Sequence, residues 1–317
     1  MSEIIQMKGY HIERLSKANI PALEKLYHEV YGRNNPPGFY EKKYDTSYTG
    51  IEHVGYVAFN ERRNPIAYYG VIPCFIRYGD QLYLAAQSAD TMTHPKYQFK
   101  GLFVQLANLT FDLCMEEGIS LVFGFPNQNS LHGFLVRLKW QMTETLAYYN
   151  IPTGLVSVDG ITRRIPFLKK MYSQYQEYIL RDYLLPRKGI ENAVFKEGFA
   201  GVNRNALYLN YKRYNDDTRV IKIGEAILWI KIKNGLIVGD VSCPSGEFDS
   251  MLIDLKKLAM KLGLKNIQFH TSHQTRLSWL LSSRYPAEPS FYVLFKDFGS
   301  RIPLDKIKFT YADVDTF

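Results

Sequence analysis

The sequence has little cysteine, no long apolar run and no block of like charge, and each absence excludes a class of protein. Its 317 residues include three cysteines, Cys74, Cys114 and Cys243, which are far apart, odd in number and set in apolar patterns. They predict reduced core thiols in a cytoplasmic protein rather than disulfides or a zinc site. No apolar run approaches the length of a membrane span, and residues 1–8 lack the apolar core of a signal peptide. We therefore expect no membrane insertion.

The formal net charge of +8 is the main compositional bias. The basic residues are scattered, and no arginine-rich or aromatic RNA-binding pattern accompanies them, so we expect no nucleic-acid partner. A polyanionic cofactor, an acidic substrate or solubility alone explains the charge. The length suits two domains, each large enough to bury a core.

A strand-to-helix junction near residue 100 is the most informative stretch. A β-rich run over residues 81–91 leads into a short loop. An apolar helical pattern follows it, carried by Leu102, Leu106, Leu109 and Leu113. The first amides of a helix have no intrahelical partner and lie at the positive end of its dipole. Gly101 permits close backbone approach and Lys100 adds charge, so residues 98–103 predict a phosphate or pyrophosphate site.

The surrounding order of motifs resembles a known family. A Gln98-x-x-Gly101-x-Phe103 loop, a helix, a strand at residues 121–125 and then Pro126-Asn-Gln-Asn-Ser130 opening another helix are similar to the GNAT superfamily of acyl-CoA-dependent N-acyltransferases. In that family the loop reads Gln/Arg-x-x-Gly-x-Gly/Ala, and its amides hold the coenzyme A pyrophosphate. The resemblance, which covers about residues 8–150, implies acetyl-CoA as co-substrate and no metal. Phe103 replaces the usual small residue, and we expect its side chain to face the helix packing.

The resemblance places the coenzyme contacts at the end of the strand, in the loop and on the first turns of the two helices. The expected contacts are Thr91, Met92, Thr93, Gln98, Phe99, Lys100, Gly101, Leu102, Phe103 and Asn129. Asn129 also fits as the N-cap of the helix that runs to residue 138, and the two roles are compatible.

The catalytic groups are less determined, because two family positions are changed. The family often places its general base on the strand before the loop. In that strand successive side chains point to opposite faces, so Gln87 and Asp90 lie on different faces of the sheet. Gln87 cannot titrate, whereas Asp90 faces the cleft if a bulge shifts the register, and otherwise serves as a cap or turn acceptor. The tyrosine that many members use as an acid falls at Leu135. His132 and Tyr149 are the candidates to replace it.

Two further groups have open roles. Some two-domain relatives use their C-terminal carboxylate as the base, which here would be that of Phe317. Tyr40 and Tyr44 follow a helix predicted over residues 19–31, with Asn19 as its cap, and either line the acceptor side or form a hydrophobic lid over the sheet.

The expected fold class is α/β (mixed α+β): a GNAT fold with a central mixed, mostly antiparallel sheet flanked by helices, followed by a second, degenerate GNAT-like domain. We expect a GNAT acetyl-CoA-binding domain over residues 1–150, a connector with an amphipathic helix over 151–196, and the degenerate domain over 197–317. The connector helix is predicted from Arg163 to Leu184, as a packing helix or a membrane-surface helix.

The second domain repeats the element order of the first but carries a different loop. Its segment 243–249 has two carboxylates and no basic residue, so coenzyme should bind the first domain only. His270-x-x-His273 lacks a third ligand motif and is interpreted as two ordinary loop histidines.

The leading hypothesis is an N-acetyltransferase that acts on a primary amine of a small acceptor, such as an amino sugar or an amino-acid-like compound. A non-catalytic acyl-CoA-binding or sensing protein is one alternative. A Fem-type aminoacyl transferase is another, which predicts RNA affinity and an extended helical arm. A homodimer is compatible with each hypothesis.

Overall fold

The computed structural model describes residues 4–154 and 166–317, and the chain divides into two compact units. The first unit comprises Met1–Thr143 and Tyr292–Asp305, and the second comprises Glu144–Phe291 and Lys306–Phe317. The domain limits predicted from the sequence remain a prediction. Unlike the predicted first domain, the first unit also includes the later segment Tyr292–Asp305. Within the described ranges, no helix combines the length and apolar character needed to cross a bilayer.

The strands and helices follow one another closely along the chain. The strands are β1 (Ile4–Met7), β2 (Tyr10–Arg14), β3 (Gly55–Asn60), β4 (Pro65–Tyr78), β5 (Gln81–Thr93), β6 (Leu121–Gly124), β7 (Gln141–Pro152), β8 (Gly201–Val202), β9 (Thr218–Ile223), β10 (Ala226–Ile232), β11 (Leu236–Ser242), β12 (Asn266–Thr271) and β13 (Glu288–Asp297). The helices are α1 (Pro21–Tyr31), α2 (Phe39–Lys43), α3 (Leu102–Glu116), α4 (Gln128–His132), α5 (Pro166–Leu180), α6 (Ala206–Tyr211), α7 (Phe248–Lys261) and α8 (Arg276–Ser282).

The first unit is built on a mixed sheet with the order β1-β2-β3-β4-β5-β6-β13. All neighbours are antiparallel except β5 and β6, which are parallel and connected through α3. This confirms the expected α/β class with a mostly antiparallel sheet. Strands β1 and β2 were not predicted, because they are short and β1 is largely exposed, so neither shows a clear apolar alternation.

Helix α3 covers one face of this sheet, against β3 and β4. Its side chains at positions 102, 106, 107 and 111 are buried in one core cluster with residues of β3 and β4. Helix α1 ends at Tyr31, the predicted end, and Gly32 in the left-handed region (φ 64°) closes it. The predicted N-cap was wrong: Ile20 occupies that position, and the Asn19 side chain accepts from the Ser16 amide instead.

The strands of the second unit follow the order β7-β12-β11-β10-β9 in the sheet. Strands β11 and β12 are parallel and the other pairs are antiparallel, which repeats the arrangement of the first unit. Helix α7 packs on this sheet through its buried face, including Met251, Leu255 and Leu258. The parallel pair joined by α7 therefore corresponds to the parallel pair joined by α3.

The connector helix is seen in part. Gly160, Arg163, Arg164 and Ile165, which the sequence analysis placed in the connector, lie outside the described residues. Helix α5 occupies Pro166–Leu180, and the hydroxyls of Tyr172 and Tyr175 donate to the Leu262 and Lys261 carbonyls at the end of α7 (2.6 and 2.8 Å). These contacts make α5 a packing helix within the second unit.

A buried charge cluster holds the C-terminal segment in the second unit. The Arg204 guanidinium, with no exposed surface, pairs with Asp240 and Asp313 and donates to the Thr310 hydroxyl (2.8 Å). The Phe317 ring is fully buried, and a Cβ added to Gly239 would lie 2.2 Å from it. The Phe317 carbonyl accepts from the Asn215 side chain (2.7 Å), so the segment is anchored.

Candidate functional site

The candidate site lies where β5 and β6 diverge. Their parallel pairing runs from Ala85 opposite Leu121 to Ser88 opposite Gly124. Strand β6 ends there, whereas β5 continues beside β4 to Thr93. The chain then turns through a 3-10 segment, Pro95–Tyr97, into α3. A cleft between the ends of two parallel strands, with a helix N-terminus beside it, is a common place for ligands in mixed sheets.

A β-bulge in β5 directs the residues at this divergence. Tyr68 is opposite Met92 and Gly70 is opposite Ala89, so both Asp90 and Thr91 lie opposite Tyr69. Asp90 has φ 51°, an uncommon conformation for a non-glycine residue. A bulge was the condition under which Asp90 was expected to face the cleft, and this bulge is present. Met92 is buried, while Thr91 and Thr93 are half-buried.

The Asp90 carboxylate forms a nearly buried ion pair that the sequence did not indicate. The Lys43 ammonium, on the last residue of α2, lies 2.7 Å from Oδ2, with side chains 3% and 16% exposed. The Tyr44 hydroxyl donates to the same oxygen (2.9 Å). Among the described residues, Oδ1 receives no hydrogen bond. One carboxylate oxygen is therefore held by two donors, and the other keeps its accepting capacity.

Tyrosines surround this ion pair. Tyr40 and Tyr44 are fully buried and their rings stack at 6.2 Å, while Tyr44 meets the Tyr68 ring edge-on at 5.8 Å. Burial, followed by the negative charge of Asp90, raises the pKa of Tyr44 well above its usual value, and the pKa of Tyr40 is raised for the same reasons. Their hydroxyls therefore stay neutral. The Tyr40 hydroxyl has no hydrogen-bond partner within the part of the chain that the structure describes.

The loop before α3 has the backbone geometry of an anion site. Gly101 has φ 81° and stands at the N-cap position of α3, where no described side chain caps the helix. A Cβ at Gly101 would have open space around it, so its backbone is accessible. Gln98 ends the 3-10 segment in an extended conformation, and the Lys100 ammonium lies over the Tyr97 ring (4.7 Å). The amides of Leu102, Phe103 and Val104 thus remain available to an anion, since intrahelical bonding begins with the Gln105 amide.

The two aromatic residues of the loop have opposite positions. The Phe103 ring packs edge-on against Tyr69 (5.9 Å) and Phe134 (5.4 Å), so it faces the packing of the helices as predicted. Phe99, with φ 63°, is fully exposed at the tip of the loop.

The two candidate acids have different surroundings. His132 is the exposed last residue of α4, followed by a π-helical turn over Gly133–Arg137 that includes Leu135. Tyr149 lies in the second unit, 1% exposed, and its hydroxyl contacts the Ser278 carbonyl (3.2 Å) and hydroxyl (3.1 Å). That phenol is already committed to a core contact, which is a poor setting for a proton donor.

The cap predicted at the start of α4 was misplaced. Asn127 is the N-cap, because its side chain accepts from the Ser130 amide (3.1 Å). Asn129 lies within the helix and is exposed, which leaves its side chain accessible to a ligand.

Cys74, Cys114 and His270 lie in packed surroundings. Burial raises the pKa of the Cys114 thiol to about 12, and Cys74 is buried as well. His270 lies in β12 rather than in a loop, stacked between Tyr148 and Tyr311 (4.7 Å each), whereas His273 is exposed in a turn. No cluster of metal ligands occurs among the described residues.

Comparison with known proteins finds one matching domain family and several structures with a similar fold. Residues 11–142 match the acetyltransferase (GNAT) domain family. A probable N-acyltransferase of Enterococcus faecalis V583 shares the fold (TM-score 0.61, 12% identity, 91% of this chain and 73% of that one). So do GCN5-related N-acetyltransferases of Kribbella flavida (0.58, 9%, 93% and 72%) and Anabaena variabilis (0.55, 13%, 92% and 73%). No curated protein matches the sequence.

Proposed function

We propose that the chain is an acyltransferase of the GNAT superfamily, since residues 11–142 match that domain family. In this proposal it transfers an acetyl group from acetyl-CoA to the primary amine of a small acceptor, such as an amino sugar or an amino-acid-like compound. The observation that carries this proposal is the Asp90 carboxylate, which is turned by a bulge and held at one oxygen only, at the divergence that precedes an uncapped helix N-terminus.

The loop residues would hold the coenzyme pyrophosphate. The amides of Leu102 and Phe103 and the Lys100 ammonium supply donors and positive charge, and the open space at Gly101 admits phosphate oxygens close to the backbone. Gln98, Phe99 and Asn129 lie at the exposed margin of this loop and of α4, and Thr91 to Thr93 would contact the acyl end. The bound thioester supplies an acyl carbon activated by a good leaving group.

Asp90 is the proposed general base, which accepts the proton of the attacking amine. An amine with a pKa above 7 must lose a proton as its nitrogen attacks the thioester carbonyl, the C–N bond forms and the C–S bond breaks. Oδ1 of Asp90 accepts that proton, while Lys43 and Tyr44 fix the carboxylate through Oδ2. His132, which is exposed, or solvent returns a proton to the departing thiolate.

A sensing role without turnover is the second candidate, because Leu135 stands at the position of the family's acid. Release of free thiol from acetyl-CoA, measured against a panel of amines, separates the two. Acetyl-CoA binding with no thiol release for any class of amine would favour the sensor.

Coenzyme binding is tested by calorimetry with a matched pair of variants. Gly101→Asp and Gly118→Asp both place a carboxylate on an open, left-handed position (φ 81° and 78°) at opposite ends of α3. We expect one acetyl-CoA site per chain. Loss of a charge-assisted contact costs about 1.5–3 kcal/mol, so Gly101→Asp should weaken affinity by roughly ten- to a hundred-fold, while Gly118→Asp should not change it. Equal affinities in the two folded variants would show that the loop is misassigned.

A further inference from the structure

The second unit contains a cavity of about 750 Å³, which lies within the range of small-molecule sites. It opens at the carboxyl end of β11, where parallel pairing with β12 stops at Val238 and β11 continues to Ser242. The chain segment 186–197 forms one wall, and the starts of α7 and α8 form another. All its lining residues belong to the second unit.

One part of the cavity is apolar. Leu209 and Ile227 are half-buried at the edge of the core cluster around Trp229, and Leu277 and Leu280 are half-buried at the edge of the larger cluster around α7. The cavity therefore lies between two packed cores and presents apolar surface from both. Such surface favours an aliphatic group over water.

The polar part of the lining is predominantly basic. Arg187, Lys188, Lys196 and Arg276 line it, against two carboxylates, Glu191 and Glu197. Arg187 and Lys196 are exposed, and neither forms an ion pair with a described residue. Two cationic side chains at the mouth of a partly apolar cavity are complementary to an anionic head group.

The loop at the start of α7 argues against a pyrophosphate here. The Arg276 guanidinium donates to the Cys243 and Pro244 carbonyls (3.3 and 3.4 Å), so these carbonyl oxygens point toward the cavity side of the loop. Glu247 occupies the N-cap position of α7, where its charge repels an anion. A single carboxylate near Arg187 and Lys196 avoids both obstacles.

We propose that this cavity binds an amphiphilic monocarboxylate, with its aliphatic chain against Leu209, Ile227 and Leu280 and its carboxylate at Arg187 and Lys196. This site is separate from the coenzyme loop, and it does not depend on the proposed transferase function.

The test uses the full chain and calorimetry with octanoate, 1-octanol and octylamine as probes at low salt. Octanoate should bind at one saturable site, at least ten-fold more tightly than either of the other two, because only it combines an aliphatic chain with a negative charge. Equal affinity for 1-octanol, or no saturable binding of octanoate, would overturn the proposal. Coenzyme A competing with octanoate for this site would overturn it as well.

Matched variants locate the site. Ala206 lines the cavity on the first residue of α6, while the neighbouring Leu207 is 60% exposed and does not line it. Ala206→Trp should abolish octanoate binding, and Leu207→Trp should leave it unchanged. Arg187→Glu should weaken it by ten-fold or more, against no change for Lys265→Glu, an exposed position elsewhere in the unit. Unaltered binding in a folded Ala206→Trp variant would refute the assignment. Acetyl-CoA affinity in each variant reports separately on the first unit.

Discussion

Replacing Asp90 with asparagine should destabilise the protein as well as impair turnover, because the carboxylate neutralises a buried lysine. The Lys43 ammonium is 2.7 Å from Asp90, and its side chain is 3% exposed. Asparagine keeps the shape but removes the carboxylate charge that lies 2.7 Å from that ammonium. Breaking a buried pair by removing one partner costs about 3–5 kcal/mol, and the 16% exposure of Asp90 favours the lower end of this range. A loss of about 3 kcal/mol corresponds to a fall in Tm of roughly 6–12 °C for a unit of this size.

The double variant Lys43→Met/Asp90→Asn separates the two roles. Removing both charges leaves no uncompensated ion, so most of the lost stability should return. If Asp90 is the general base, turnover should stay about a hundred-fold or more below that of the native protein in both variants, with acetyl-CoA affinity unchanged. If Asp90 only anchors Lys43, turnover should recover together with Tm. The measurements are thermal unfolding and thiol release on the same preparations, with Lys43→Met alone as the control.

Two results would refute this reasoning. An unchanged Tm in Asp90→Asn would mean that the ion pair contributes nothing to stability. Normal turnover in a folded Asp90→Asn variant would remove the base assignment and direct attention to a water chain or to His132.

Three further predictions concern stability. Burial lowers the pKa of His270 to about 4. As pH falls below about 6.5, the histidine is protonated in the unfolded chain before it is protonated in the folded one. The free energy of unfolding should therefore decrease by up to about 3 kcal/mol between pH 6.5 and 4. Denaturant titrations across that range should show a smaller loss in His270→Phe. A Cβ at Gly70 would lie 2.0 Å from the Tyr68 hydroxyl, so Gly70→Ala should lower stability by about 1–3 kcal/mol, and an unchanged midpoint would contradict the packing. Arg204→Met removes the guanidinium that pairs with two buried carboxylates and should cost about 3–5 kcal/mol at neutral pH. Because burial raises the pKa of Asp240, protonation should relieve part of that cost at low pH, and a loss independent of pH would contradict this.

Local patterns in the sequence determined the order of elements and the position of the loop. Helical spacing placed α3, a β-rich run placed β5, and Gly101 marked the loop between them, because each signal lies within a few residues of the structure it specifies. The orientation of the Phe103 side chain, which packs against Phe134 as predicted, also follows from neighbouring residues in the sequence.

Contacts between distant residues could be found only in the tertiary structure. Nothing near Lys43 in the sequence indicates that it meets Asp90, since the pairing depends on how α2 lies over the bulged end of β5. The bulge itself is set by the register of β4 against β5, which alternation along one strand does not specify. Likewise, the cavity of the second unit exists because the chain segment 186–197 returns beside α8. Local periodicity therefore specified the framework, whereas strand register and the packing of helices on the sheet decided which charged groups meet.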